Sequence, residues 1–284
     1  MNKIKAVFIS MYSMGAMLAT LHVATQLFLS GINTAWLGAF VAVLTPAFFF
    51  ARLFAKNTAR TSANLPFLIA SGFAGLTLTL ILPSAGLVPV IYAALFGALG
   101  SLLYVFWYSR INRSAANIKV GDILPDFTLY SSQKDSIGQA IPSSVLRAQP
   151  SLLLFFRGNW CPLCMAQIKE IAASYQELAK RGVKVFLISP QSERQSQSLS
   201  KQFNAPMSFL VDKDLQAAMQ LGIMHENGTP AGMMGYDSDS VMPTAILTDE
   251  NGKIIFADLT DNYRVRPEPQ TFIDMLDQHG IAAQ

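Results

Sequence analysis

Cys161 and Cys164 are the only cysteines in the 284-residue chain, and they stand together in the run Trp160-Cys161-Pro162-Leu163-Cys164. A thiolate is the species that attacks disulfides. At a helix N-terminus, backbone N–H groups and the helix dipole lower a thiol pKa from about 8.5 to between roughly 3.5 and 7.5. Two thiols on one helical turn can also close a reversible disulfide. A structural zinc site would need four ligands, usually from two such pairs. The only histidines in the C-terminal part are His225 and His279, with no second C-x-x-C, so neither a metal nor a cofactor is expected. Simple packing does not explain a Trp, a Pro and two thiols in one short run.

The flanking residues must supply the scaffold. Ser151 to Phe156 reads as a buried strand and Met165 to Arg181 as a helix, with Ile168, Ile171, Tyr175 and Leu178 at helical spacing and Gly182 as its stop. Val183–Ser189 is a second apolar strand, so strand–helix–strand implies a parallel crossover. A short first strand is expected at Asp126–Leu129, a weak helix at Ser192–Phe203 and a strand at Ser208–Val211. Asp214 is expected to cap a helix over Leu215–Leu221, and Met224–Ser240 reads as a loop. Asn251-Gly252 between two apolar runs is a hairpin signal, and a last helix spans about Pro269 to His279.

Charge divides the chain. The first acidic residue is Asp122, so all 18 acids lie in the C-terminal part, whereas the residues before it carry eight Lys and Arg. Nothing combines a basic stripe with interleaved aromatics, which argues against nucleic-acid binding. Apolar stretches near 6–29, 32–55, 65–82 and 86–108 are each about the length that crosses a bilayer. A signal peptide would be shorter than the first stretch, and three more follow it. The expected organisation is a four-helix transmembrane domain at 1–110, a linker at 111–119 and an α/β domain at 120–284. Lys3, Lys5, Arg52, Lys56, Arg60, Arg110, Arg113 and Lys119 all fall on one side of these spans. By the positive-inside rule that side, with both termini and the dithiol domain, faces the cytoplasm of a bacterial-type inner membrane. With no cysteine before Cys161, the spans cannot relay electrons by dithiol exchange. His22 and Gln26 share a face of the first span and read as a functional pair or as an interhelical hydrogen bond.

Strand–helix–strand, then a hairpin and a closing helix, is the thioredoxin order. In such folds a cis proline beside the C-x-x-C offers the preceding residue's backbone to a substrate. Met242-Pro243-Thr244 stands at that place, so Pro243 is expected to be cis with Met242 binding substrate; a trans proline opening an edge strand is the plainer alternative. From about Val120 to Gly280 the chain resembles the alkyl hydroperoxide reductase/thiol-specific antioxidant superfamily, in its peroxiredoxin-like branch with C-x-x-C. The resemblance rests on Gly121-Asp122-Ile123-Leu124-Pro125-Asp126-Phe127, on Phe155 through Cys164, on Val241–Asp249 and on Tyr263–Pro269. It implies a thioredoxin-like fold. It also places Cys164 at the peroxidatic position, Cys161 at the family's Thr/Ser position, Arg157 at its Pro position and Pro243 where many members carry a peroxide-polarising Arg. Arg157, Arg264 or Arg266 could replace that guanidinium.

Two enzymatic readings follow. In the first, a membrane-anchored thiol–disulfide oxidoreductase attacks a protein or small-molecule disulfide through Cys161, the sulfur expected to be more exposed. Cys164 then resolves the mixed disulfide, with Arg157 supporting the thiolate and Trp160 and Met242 contacting substrate. In the second, an antioxidant peroxidase uses Cys164 as the peroxidatic and Cys161 as the resolving sulfur. Either needs a thiol reductant such as a thioredoxin or glutathione system. A third reading is a non-catalytic membrane protein whose thioredoxin-like domain only binds partners. Met224, His225, Met233 and Met234 invite a copper reading, but a mobile loop is the simpler account, and Tyr263–Arg266 is either active-site rim or surface charge.

Overall fold

The computed structural model describes residues 1–56, 58–81, 86–203 and 205–283. It divides into two units, one built on Met1–Lys56 with Thr61–Arg110, the other on Ile111–Thr229 and the chain from Met233 onward.

Four apolar helices make the first unit: α1 (Asn2–Ser30), α2 (Thr34–Ala55), α3 (Pro66–Ile81) and α4 (Leu87–Tyr108). Asn33 caps α2 by accepting from the Ala35 N–H at 2.9 Å. Among the described residues α1, α2 and α4 are long and apolar enough to cross a bilayer. Helix α3 has 16 residues, about 24 Å at 1.5 Å per residue, against a hydrocarbon core of about 30 Å. The stretch 82–85, between α3 and α4, lies outside the described residues. Close packing depends on glycines. A Cβ on Gly75 would collide with the Gly38 carbonyl of α2, and one on Gly72 with the Gly97 carbonyl of α4. Helix α4 widens into π-helical turns at Ala93–Leu99 and Leu103–Tyr108. Phe28, Phe48, Phe54 and Phe67 point outward, whereas several polar side chains pair with one another. Tyr12 Oη lies 3.2 Å from Ser101 Oγ, and His22 shares hydrogen bonds with Tyr92 Oη at 2.9 Å and Gln26 Nε2 at 3.2 Å.

The second unit is a seven-stranded mixed sheet in the order β2-β1-β5-β4-β3-β8-β9. Its strands are β1 (Thr128–Ser131), β2 (Ala140–Pro142), β3 (Ser151–Phe155), β4 (Lys184–Ser189), β5 (Ser208–Val211), β8 (Thr244–Thr248) and β9 (Ile254–Asp258). A separate two-stranded ribbon joins β6 (Met224–His225) to β7 (Ser240–Val241). Every residue of β3 and β8 is buried, which is why their sequences are continuous apolar runs rather than alternating ones. β3 pairs parallel with β4 and antiparallel with β8, and β9 returns antiparallel beside β8. That is the expected thioredoxin-like core. Its helices are α5 (Ser143–Arg147), α6 (Pro162–Ala173), α7 (Tyr175–Ala179), α8 (Glu193–Ser200), α9 (Gln216–Gln220) and α10 (Pro269–Gln278).

Several local expectations change. The helix after the cysteines starts at Pro162 and breaks at Ser174, whose φ of −95° and ψ of 5° leave the helical region. The cap of α9 is Asp212 rather than Asp214: its two carboxylate oxygens accept from the Ala217 and Ala218 N–H groups at 2.8 Å, while Asp214 and Leu215 take left-handed φ values of 54° and 55°. Burial pushes the Asp212 carboxyl up to about 6, against the pull of those two N–H groups. Met224 and His225 sit in a strand, not a mobile loop. The stretch 111–119 is no free linker either. Ile111 and Ile118 are buried, the Ile111 N–H donates to Asp261 O at 2.6 Å and the Asn117 N–H to Leu221 O at 3.0 Å.

Candidate active site

Strand β3 ends inside the sheet and hands the chain to a tight loop, Phe156 to Trp160, that must turn back into α6. Gly158 makes this possible. Its φ of 148° suits glycine alone, and a Cβ there would come within 2.8 Å of Trp160 Nε1. Cys161 is the N-cap of α6 and Pro162 its first residue. The Cys164 N–H donates to Cys161 Sγ at 3.3 Å, and the Cys161 N–H to Gly158 O at 3.1 Å. The two sulfurs are joined as a disulfide with Cα atoms 5.2 Å apart. Cys161 is 2% exposed and Cys164 fully buried. The expected difference in exposure is therefore absent, because the loop and the 262–267 segment close over both sulfurs.

A guanidinium does lie on the dithiol, and it belongs to Arg266. Its Nη1 and Nη2 each approach Cys164 Sγ at 3.6 Å, and Nη2 lies 3.9 Å from Cys161 Sγ. Nη1 also donates to Gln167 Oε1 at 3.0 Å and Nε to the Tyr263 carbonyl at 3.0 Å. Gln167, one turn beyond Cys164 on the same face of α6, thus positions the guanidinium. Burial, helped by the neighbouring Arg157 cation and opposed by Asp258, pulls Arg266 down to about 9, which leaves it charged at neutral pH.

Arg157 is held elsewhere. Its Nη2 donates to the Gly228 carbonyl, and its guanidinium carbon lies 4.6 Å from the Trp160 ring centre and 5.5 Å from that of Tyr263. Trp160 therefore packs on Arg157 beside Cys161.

Pro243 differs from expectation in its central feature. No peptide bond among the described residues is cis, so Met242–Pro243 is trans. The surrounding hydrogen bonds explain why this backbone is not presented to a partner. The Met242 N–H donates to Ile223 O at 2.8 Å, and its carbonyl accepts from Thr244 Oγ1 at 2.8 Å. The Pro243 carbonyl accepts from Arg113 Nη2 at 2.6 Å, and Arg113 Nη1 donates to Thr244 Oγ1 at 2.7 Å. Burial lowers Arg113 to about 10, with Asp258 and Asp261 opposing the shift. Thr244 pairs with Phe155 across the sheet, so Pro243 still lies at the end of the sheet that carries the cysteine loop.

Sequence reasoning missed Gln167 and Arg113 and named Arg266 only among three candidates. The +3 spacing from Cys164 to Gln167 was a usable signal for a polar side chain on the dithiol face. Nothing local marked Arg113, which acts 130 residues away.

Residues 120–257 match the model of the AhpC/TSA family. Over that stretch the chain is similar to the AhpC/TSA family. A putative peroxiredoxin of Coxiella burnetii is 28% identical over 138 residues, covering 49% of this chain and 86% of that protein. Peroxiredoxin Bcp of Escherichia coli is 25% identical over 163 residues, 57% of this chain and 98% of its own length. Among solved structures, peroxidoxin BcpB of Mycobacterium tuberculosis aligns at a TM-score of 0.47 and 19% identity, over 57% of this chain and 98% of its own. With these similarities the chain is an oxidoreductase acting through thiols, in accord with the dithiol and its guanidinium.

Proposed function

We propose that the chain is a membrane-anchored, thiol-dependent peroxidase in which Cys164 attacks the hydroperoxide and Cys161 resolves. The observation that carries this reading is Arg266, whose two terminal nitrogens converge on Cys164 Sγ at 3.6 Å. A buried cation at that distance favours the thiolate over the thiol. The same guanidinium can stabilise charge on the peroxide oxygens as they separate. The names of the relatives point the same way. Reduced Cys164 would attack the terminal peroxide oxygen: an S–O bond forms, the O–O bond breaks, and the alkoxide leaves with a proton as the alcohol. The Cys161 thiol then displaces water from the Cys164 sulfenic acid, restoring the disulfide.

The thiol–disulfide reading with Cys161 as attacker is less well supported. A protein disulfide would have to reach a sulfur that is 2% exposed. Met242 offers that substrate no free backbone pair, since both its N–H and its carbonyl are engaged. The helical unit would hold the enzyme at the bilayer, and the one-sided distribution of its basic residues supports a cytoplasmic dithiol domain.

The test uses the reduced full chain in nanodiscs. Rapid hydroperoxide consumption, lost in Cys164→Ser, with a sulfenic acid trapped at Cys164 by dimedone in Cys161→Ser, is the expected result. Insulin reduction without peroxide consumption would overturn it.

A further inference from the structure

Beside the cysteine loop lies a polar cleft of about 420 Å³ that the peroxide reaction does not use. Its charged lining is Arg157 and Lys213 on the cationic side and Glu193, Asp214, Asp237 and Asp239 on the anionic side. Arg157 is 5% exposed, and its Nε has no hydrogen-bond partner. Its other contacts are a carbonyl and two aromatic rings, so among the described residues this buried cation has no carboxylate partner. Buried polar groups are normally paired, and each exception asks for an explanation. Here the exceptions cluster: Asn159 Oδ1 and Trp160 Nε1, on the two residues leading to Cys161, are also buried without partners. The cleft wall carries that loop directly. The Asn159 N–H donates to Gln191 Oε1 at 2.9 Å and Asn159 Nδ2 to Gln195 O at 3.1 Å, and both glutamines line the cleft.

A buried guanidinium without a carboxylate partner, in a cleft that also holds a set of carboxylates, is complementary to a ligand with a carboxylate at one end and an ammonium at the other. Building on the peroxidase reading, we infer that this cleft binds the electron donor, a small thiol bearing a free α-amino-acid group, with its carboxylate on Arg157 and its ammonium among Glu193, Asp214 and Asp237. The chemistry closes the cycle. The donor thiolate forms a bond to Cys161 Sγ as the Cys161–Cys164 bond breaks, leaving Cys164 as a thiolate against Arg266. A second donor thiol attacks the mixed disulfide, its proton passing to Cys161, and the donor departs as its symmetric disulfide with two electrons delivered. A donor of this size also suits sulfurs that a protein disulfide cannot easily reach.

The probe is glutathione, with its unreactive S-methyl derivative for binding and 2-mercaptoethanol as a thiol without the zwitterion. The full chain in nanodiscs is expected to bind S-methylglutathione by calorimetry. In Glu193→Gln/Asp237→Asn the KM for glutathione should rise about tenfold or more, the scale of a lost charged hydrogen bond, while turnover with 2-mercaptoethanol is unchanged. Arg157→Gln should weaken S-methylglutathione binding at least as much. Absence of binding at millimolar concentration, or equal effects on both thiols, would overturn the inference and leave the peroxidase reading standing. Binding without any thiol-supported peroxide turnover would instead sink the peroxidase reading.

Discussion

Arg157 and Arg266 are both buried, both in the second unit and both near the dithiol, yet they sit in different chemical worlds. Arg157 is three residues from the end of the cysteine loop's Trp160, and it spends its charge on a carbonyl and two aromatic faces. Arg266 is about a hundred residues away in sequence and touches both sulfurs. The difference lies in what anchors each side chain. The loop 262–267 is locked by its own backbone, with the Arg264 N–H donating to Asn262 Oδ1 at 3.1 Å and the Val265 N–H to Asn262 O at 3.0 Å. That loop then aims Arg266 back across the sheet end, where Gln167 and the Tyr263 carbonyl receive it. Arg157 leaves β3 on the other side of the turn that Gly158 creates. Proximity along the chain thus predicts the loop a residue belongs to, not the face it serves.

Replacing Arg266 should give the largest effect. Arg266→Met is expected to slow the first reaction with hydroperoxide by about 10²–10³-fold, the scale of removing one charge-stabilising donor from a reacting centre, and to raise the Cys164 thiol pKa. Stopped-flow peroxide reduction and thiol alkylation against pH measure the two. A rate within twofold of wild type would show that the two arginines do not differ in the way proposed.

A smaller effect, in pH, separates the two residues further. Arg266 is lowered to about 9 by burial first and by Arg157 second. A Cys164 thiolate in contact with it raises it again, so the peroxide rate should hold through about pH 9 and fall only above that, when the guanidinium loses its proton. Arg157→Met removes a like charge, so the falling limb should move to higher pH. A limb that moves down, or that stays fixed, would mean the two guanidinium groups do not feel each other.

Pro243→Ala is expected to be the mildest change, within about twofold in peroxide rate, since the bond is already trans and the carbonyl that Arg113 holds is retained. A loss of tenfold or more would return Pro243 to the machinery and blur the contrast between the two arginines.

Much of the scaffold was legible because its causes are local. The apolar run of β3, the Pro162 start of α6, the apolar β4 and the Asn251-Gly252 turn each declare an element within a few residues. The cysteine pair was legible for the same reason. What escaped was set by distant partners. Asp212 takes the cap of α9 because it alone places both oxygens on Ala217 and Ala218. The Met242 backbone is withdrawn from substrate by Ile223, which falls between the expected helix over Leu215–Leu221 and the expected loop from Met224. The choice among Arg157, Arg264 and Arg266 depended on how the 262–267 loop folds back, which no periodicity encodes.

Arg113 carries a practical consequence for anyone cutting the molecule apart. By composition the α/β half starts near residue 120, where the match to the family model also begins. A fragment begun there would leave behind the side chain that holds the Pro243 carbonyl, Thr244 Oγ1 and the Thr260 carbonyl. It would also remove Ile111, which ties the chain to Asp261 at the base of the Arg266 loop. The minimal redox fragment therefore begins at Ile111, and the nine residues that look like a tether are the buckle of the domain they introduce.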